Sequence, residues 1–259
     1  MTTPIDAPTT PVRGQPSWRL VLAVARLEMT SYTRSLGGFL FAVLAPTVIF
    51  LVAANFWYPR EYLAAAVPDV AGLSVLSTGL FSIGVAITEQ RKEGTLKTYL
   101  ASPLSKGIYL AGQILDRLVV LFAGNVVMML VAGFGYDVWP RGSALVIVPV
   151  FLLVIATMLA LGFALSSRFR SVETAGATTA ILFGGAMLAA GYFPLEGRVP
   201  DLVLTVLEYL PFWPMAGALR SAWFGVHDGL AVHLLVLGAW LAVFVVVAMR
   251  FFRWTPDDR

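Results

Sequence analysis

Charge-free apolar stretches recur along the chain at 36–58, 70–88, 118–134, 144–166, 174–193 and 230–249. A helix of roughly 20 apolar residues crosses the roughly 30 Å of a bilayer's hydrocarbon. It also satisfies every backbone polar group within itself, which lipid demands. The pattern therefore predicts an all-α integral membrane protein with six transmembrane helices and both termini on one side. The third stretch looks short, but its helical pattern extends back to about Ile108, which puts Asp116 and Arg117 near the headgroups or inside the bundle. Polarity within the spans is otherwise confined to Asn55, Asn125 and a few serines and threonines.

Three segments break this rhythm. Residues 1–17 carry Pro4, Pro8, Pro11 and Pro16 among polar residues and read as a disordered tail. After it, Trp18, Val21, Leu22, Ala25, Met29 and Tyr32 recur at three- and four-residue steps, with Arg19, Arg26, Thr30 and Thr33 on other faces. Residues 18–34 are thus expected to form an amphipathic helix lying in the membrane interface. The connection 89–106 is the most charged. Gly94 breaks its approach, Thr95 can cap a short helix whose apolar side is Leu96, Tyr99 and Leu100, and Pro103 ends it. A charged surface with a small apolar knob suits docking onto a soluble partner, and a solvated loop is the alternative. In the third segment, 194–229, residues 203–210 and 212–224 are apolar but too short to cross and are interrupted by Pro211 and Pro214. They read as a re-entrant pair of short helices, with Glu208 and Arg220 flanking the break and able either to pair or to reach the headgroups. In the fifth span Gly176, Ala180 and Gly184 repeat every four residues, a smooth stripe suited to close packing within the subunit or against a second copy.

Charge distribution orients the frame. With the N-terminus cytoplasmic, only Arg60, Arg141, Arg198 and Arg220 of the 18 basic residues fall outside, which is a strong positive-inside bias. Trp57, Tyr58, Tyr136, Trp139, Tyr192, Phe193 and Trp254 stand at span ends, where aromatic rings anchor at headgroup level. Composition agrees, with 58% hydrophobic residues, 13% charged residues and a mean hydropathy of +0.81. The net charge of +3 is too scattered to form a nucleic-acid groove. The absence of cysteine excludes disulfides and thiolate chemistry, and two histidines make a histidine metal site improbable. No phosphate-binding loop of the G-x-x-x-x-G-K-[ST] form occurs, nor H-E-x-x-H or G-x-S-x-G, so catalytic, cofactor and metal residues are all expected to be absent from this chain. Sparse intramembrane carboxylates argue against a proton-driven pump.

The run Glu89-Gln-Arg-Lys-Glu-Gly-Thr-Leu-Lys-Thr-Tyr-Leu-Ala-Ser-Pro-Leu-Ser-Lys, continuing from Ile108 as Ile-Tyr-Leu-Ala-Gly-Gln-Ile-Leu, is similar to the Glu-Gly-Thr-Leu segment, Pro-x-Ser turn and following helix of the ABC type 2 exporter permeases. This family includes drug-resistance permeases of the daunorubicin type and exporters of lipid-linked glycans. Phe193-Pro-Leu-Glu-Gly-Arg-Val-Pro leading to Leu210-Pro-Phe-Trp-Pro-Met-Ala-Gly-Ala-Leu-Arg resembles the family's outer re-entrant hairpin, although relatives often show Asn-Pro-Leu-Thr in place of Pro-Phe-Trp-Pro. A weaker likeness runs from Arg26 to Pro46. The resemblance implies a permease subunit in a bacterial plasma membrane, with both termini cytoplasmic and a coupling helix between the first and second pairs of spans. It implies that Glu89, Arg91, Glu93, Gly94, Thr95, Leu96 and Tyr99 contact a separate ATPase subunit that carries ATP and Mg²⁺. It further implies a second permease copy or paralogue as partner, beside membrane lipid, and a hydrophobic or amphipathic substrate such as a drug. A lipid-linked glycan is the alternative cargo. A non-transporting membrane scaffold that recruits a soluble partner is the alternative of another class.

Overall fold

The computed structural model describes residues 17–34, 36–94, 105–169, 171–193 and 199–251, and these residues form helices with no strand among them. The amphipathic helix is α1 (Ser17–Arg34), followed by α2 (Leu36–Val52), which continues into a π-helical turn at Ala53–Trp57. The helix α3 (Arg60–Lys92) runs for 33 residues and contains a π-helical stretch at Thr78–Val85. Then come α4 (Lys106–Tyr136), α5 (Ala144–Ser166) and α6 (Val172–Ala189). The pair α7 (Asp201–Tyr209) and α8 (Phe212–Phe224) precedes α9 (Leu230–Phe251). The tail at 1–16, the short helix expected at 95–100 and Trp254 lie outside the described residues.

Among the described residues five helices, α3, α4, α5, α6 and α9, are long and apolar enough to cross a bilayer, or six if the bent pair α7–α8 is one broken span, and α2 with its π turn adds the shorter apolar stretch Ala42–Trp57. The six apolar stretches of the sequence fall in these helices, with Tyr58 running past the π turn and 190–193 past the end of α6. The α7–α8 pair bends by 73°, with Leu210 in the extended conformation that a following proline, Pro211, favours. Serine caps set several starts: Ser105, Ser143 and Ser171 each accept a backbone N–H from the first turn of α4, α5 and α6.

At the centre of the bundle, α3 touches α2, α4, α5, α6 and α8, while α1 and α2 pack on α4 and α9 packs on α5 and α8. Fully buried Leu76, Leu80, Ile83, Ile155, Met158 and Leu159 fill its middle. Here α3 and α5 cross backbone to backbone. A Cβ added to Gly162 would lie 2.0 Å from the Gly79 carbonyl oxygen, and one on Gly79 would lie 2.3 Å from that of Met158. Only glycine permits this approach, and it coincides with the π-helical stretch of α3. Large apolar side chains such as Phe134 (81% exposed), Leu145 (87%) and Ile181 (79%) cover the exterior, as suits a surface in hydrocarbon.

The apolar face expected for α1 is only partly the buried one: Ala25 is buried and Val21 and Met29 are half-buried, whereas Trp18 and Leu22 are exposed, and Val24 and Glu28, outside the expected face, are buried against the bundle. Val24 seats on Gly112 of α4, where any side chain would collide with it.

Candidate functional site

Two polar clusters stand at opposite ends of α3. At its C-terminal end the helix stops at Lys92, and Gly94 follows with φ of 78°, a left-handed conformation that glycine adopts without penalty. Glu89, Lys92 and Glu93 are exposed, and this is where a partner can reach the chain. Arg91 departs from that expectation. It is buried, and its Nη1 donates to the carbonyls of Ser166 (3.1 Å) and Phe169 (3.4 Å) at the end of α5. Its long side chain takes it out of any docking surface and makes it a clamp between helices. The neighbouring residues bind in the same way. The Tyr109 hydroxyl donates to Gln90 Oε1 at 3.1 Å and accepts from Gln113, joining α3 to α4. Lys92 lies 3.6 Å from Glu173 at the start of α6, an exposed ion pair of little energetic weight. The exposed turn at Glu93 and Gly94 is therefore anchored to three other helices. Thr95, Leu96 and Tyr99 lie outside the described residues.

Close by, Arg117 Nη1 donates to Asp116 Oδ2 at 2.6 Å with both side chains nearly sealed from solvent, and Glu28 of α1 is buried within electrostatic reach. Of the two placements open to Asp116 and Arg117, the bundle interior is the one observed. Burial of α1 against them ties the amphipathic helix to the same end of the bundle.

The second cluster centres on Asp69, in the first turns of α3 just after Pro68. Its Oδ1 accepts from Arg220 Nε at 2.6 Å and its Oδ2 from the Tyr58 hydroxyl at 2.7 Å. The Arg220 guanidinium also lies 5.7 Å from the centre of the Tyr192 ring. One carboxylate thus joins α3, the end of α2, the helix α8 of the bent pair and the segment after α6. Two sequence expectations are corrected here. Polarity within the apolar helices includes the buried carboxylate Asp69, which the apolar stretch beginning at Val70 left outside. Arg220 pairs with Asp69 and not with Glu208, because Glu208 sits on α7, which the Pro211 bend turns away from α8. Pro211 precedes α8, and Pro214 is buried in its first turn, where a missing N–H costs nothing.

The stripe of the fifth span faces outward. Nothing lies within 4 Å of a Cβ added to Gly176 or Gly184, and Ala180 is exposed. Packing within the subunit is therefore not its role. The close contact that sequence reasoning missed is Gly79 against Gly162, which no single-segment repeat announces.

Comparison with known proteins agrees with this architecture. A family model for ABC-2 family transporter proteins matches residues 56–250, a span that contains both clusters. Two Mycobacterium tuberculosis proteins, from strains CDC 1551 / Oshkosh and ATCC 25618 / H37Rv, each bear the name fluoroquinolones export permease protein. They are 30% identical to the chain over 190 residues, covering 73% of it and 76% of their own length. A Bacillus subtilis (strain 168) protein designated transport permease YvfS is 23% identical over 230 residues, covering 85% of the chain and 92% of itself. A bundle of apolar helices around α3, with an exposed charged turn at one end of that helix and a sharply bent helix pair packed near the other, is the frame of a multi-pass membrane permease, and the chain belongs to the ABC-2 transporter family.

Proposed function

We propose that this permease is the transmembrane half of an exporter driven by ATP hydrolysis on separate ATPase subunits, which engage the chain at Glu89, Lys92, Glu93 and Gly94 and at the segment that follows. The observation that carries this reading is the anchoring of that exposed turn to α4, α5 and α6 through Gln90, Arg91 and Lys92. A displacement imposed at Gly94 is passed to α4 and α5 through the Tyr109 and Arg91 hydrogen bonds and does not dissipate in a loop. ATP and Mg²⁺ act on the partner. This end of α3, like both termini, faces the cytoplasm of a bacterial cell, and the α7–α8 hairpin faces outward, in keeping with the basic-residue bias.

Two copies, identical or paralogous, pack side by side, and the outward-facing Gly176, Ala180 and Gly184 stripe supports α6 as part of that contact. The transported molecule is hydrophobic or amphipathic and drug-like. The names of the mycobacterial relatives support a drug over a lipid-linked glycan. ATP binding on the partner acts by stabilising one arrangement of the helices over another, so that substrate is held in the inward state and released from the outward one.

The test is ATP hydrolysis and substrate transport in lipid vesicles holding this chain together with an ABC ATPase from the same genome. Glu93→Lys and Gly94→Pro variants are expected to lose substrate-stimulated hydrolysis while remaining folded. Unchanged stimulation in both variants refutes the docking assignment. An ATPase that neither binds nor responds to the unaltered chain favours a scaffold over an exporter.

A further inference from the structure

At the Asp69 end of α3 a cavity of about 550 Å³ opens between α2, α3 and the segment that follows α6. Five aromatic residues line it: Trp57, Tyr58 and Tyr62 from the turn between α2 and α3, and Tyr192 and Phe193 from the segment after α6. Local features of the chain bring them together. The π-helical turn closes with the Tyr58 N–H on the Ala53 carbonyl at 2.9 Å, and Pro59 then redirects the chain so that Tyr62 stands in the 3₁₀ first turn of α3. On the other side Gly191, with φ of 70°, turns the chain out of α6, and the Tyr192 hydroxyl presses on Gly72 of α3, where any side chain would collide with it. Ile49, Leu73 and Met187 add apolar surface to the walls.

Among the described residues Asp69 is the one charged residue lining this cavity. Its partner Arg220 reaches the carboxylate from outside the lining, so the ion pair turns its negative end toward the cavity. Each carboxylate oxygen accepts one of the two bonds, from Arg220 and from Tyr58, and keeps a further lone pair. Aromatic faces are the negative side of the ring quadrupole and attract organic cations. The Arg220 guanidinium, 5.7 Å from the centre of the Tyr192 ring, is one such cation already at the edge of the cluster. Rings that serve only as headgroup anchors have no need to converge on a carboxylate. A metal ion is poorly served, since it takes several oxygen ligands and the one carboxylate here is already bound to Arg220 and Tyr58. An anion is repelled by rings and carboxylate alike, and a neutral apolar molecule gains nothing from Asp69. From five rings converging on one carboxylate-lined cavity we infer a binding site for an organic ammonium group on an apolar body. The ammonium lies against Trp57 and Tyr62 beside Asp69, and the body lies on Ile49, Leu73 and Met187. The inference deepens the export reading by placing a positive charge on the amphipathic molecule, and it rests on that reading only for its biological meaning.

Binding of tritiated benzyltrimethylammonium to the full chain tests it, by equilibrium dialysis in dodecyl maltoside, an uncharged detergent, without any ATPase. Saturable binding is expected. Neopentylbenzene, the same shape with carbon in place of the charged nitrogen, should compete about tenfold or more weakly, and phenylacetate not at all. Trp57 and Tyr62 are 68% and 62% exposed, so their replacement leaves the core intact. Trp57→Leu and Tyr62→Leu should each weaken binding about two- to fivefold, the range of one exposed cation–ring contact, while Trp57→Phe should weaken it less. Asp69→Asn should weaken it further, and if that variant fails to fold the two exposed rings still decide the matter. Competition by added phosphatidylethanolamine but not by phosphatidylglycerol identifies the ammonium as a lipid headgroup; competition by neither identifies it as a free amphipathic ammonium. Equal competition by neopentylbenzene overturns the ammonium, and unchanged affinity in both Trp57→Leu and Tyr62→Leu overturns the site. Because no ATPase is present, neither result depends on whether the chain couples to one.

Discussion

Removing one partner of the Asp69–Arg220 pair should be far more damaging than removing both. Asp69 is almost completely buried, its side chain 9% exposed, and Arg220 Nε lies 2.6 Å from its Oδ1. Breaking a buried pair typically costs about 3–5 kcal/mol because it strands a charge. The Arg220 side chain keeps 35% of its exposure, so it is sealed less completely than Asp69. Arg220→Met, which strands the more deeply buried partner, is therefore expected to cost about 2–4 kcal/mol. Asp69→Leu should cost less than Arg220→Met, since the guanidinium it abandons is less deeply buried and keeps the Tyr192 ring beside it. The double variant should recover most of the loss, leaving a residue of about 1 kcal/mol from the Tyr58 hydroxyl deprived of its acceptor, and adding Tyr58→Phe should remove that residue. Reversible unfolding in mixed micelles, followed by tryptophan fluorescence, measures the cycle. If Arg220→Met and Asp69→Leu each cost less than about 0.5 kcal/mol, or if their costs simply add, the pair does not join these four segments in the way its geometry implies.

Three further outcomes follow from the glycines and the helix end. Gly162→Ala places a methyl group 2.0 Å from the Gly79 carbonyl oxygen and should destabilise the chain by about 1–3 kcal/mol or more in the same unfolding assay, whereas Gly84→Ala, whose nearest neighbours lie at 3.7 Å or beyond, should be nearly neutral. At Gly94, with φ of 78°, substitution by alanine should cost about 1 kcal/mol, visible as faster amide hydrogen exchange at the end of α3; unchanged exchange there contradicts the left-handed helix end. Gly184→Ile, open to the exterior, should leave unfolding of the single chain unchanged but weaken pairing of two copies in chemical crosslinking or native mass spectrometry, and intact pairing removes the stripe from the interface.

Much of the frame was legible because lipid imposes a simple rule. Helices that hide their backbone from hydrocarbon must be long and apolar, so their positions appear as charge-free runs, and the two prolines near residues 211 and 214 mark where a run is too interrupted to cross. The amphipathic helix α1 and the break at Gly94 were legible for equally local reasons: a three- and four-residue apolar recurrence, and a glycine where a helix must turn left-handed. The ABC-2 resemblance rested first on the segment 89–106 and its continuation from Ile108, then on the stretches from Phe193 and Leu210, all contiguous runs that needed no knowledge of packing.

What the sequence could not show are pairings between distant residues, each decided by how the helices cross. Asp69 and Arg220 stand 151 positions apart. Asp69 borders an apolar run and reads as its polar edge until α8 packs beside it, when the low dielectric makes an ion pair the only economical arrangement. Arg91 reads as one more exposed charge of a cytoplasmic loop until the end of α5 presents two carbonyls to it. Among 23 glycines, Gly79 and Gly162 carry the tight crossing while the regular Gly176, Ala180 and Gly184 stripe faces out, since spacing along one helix records only that its surface is smooth and not what lies against it. The sequence by itself determined which segments enter the membrane and which end carries the charge; the tertiary structure alone decided which charges are buried, which glycines touch and where a cavity remains, because those depend on distances between helices that no local pattern contains.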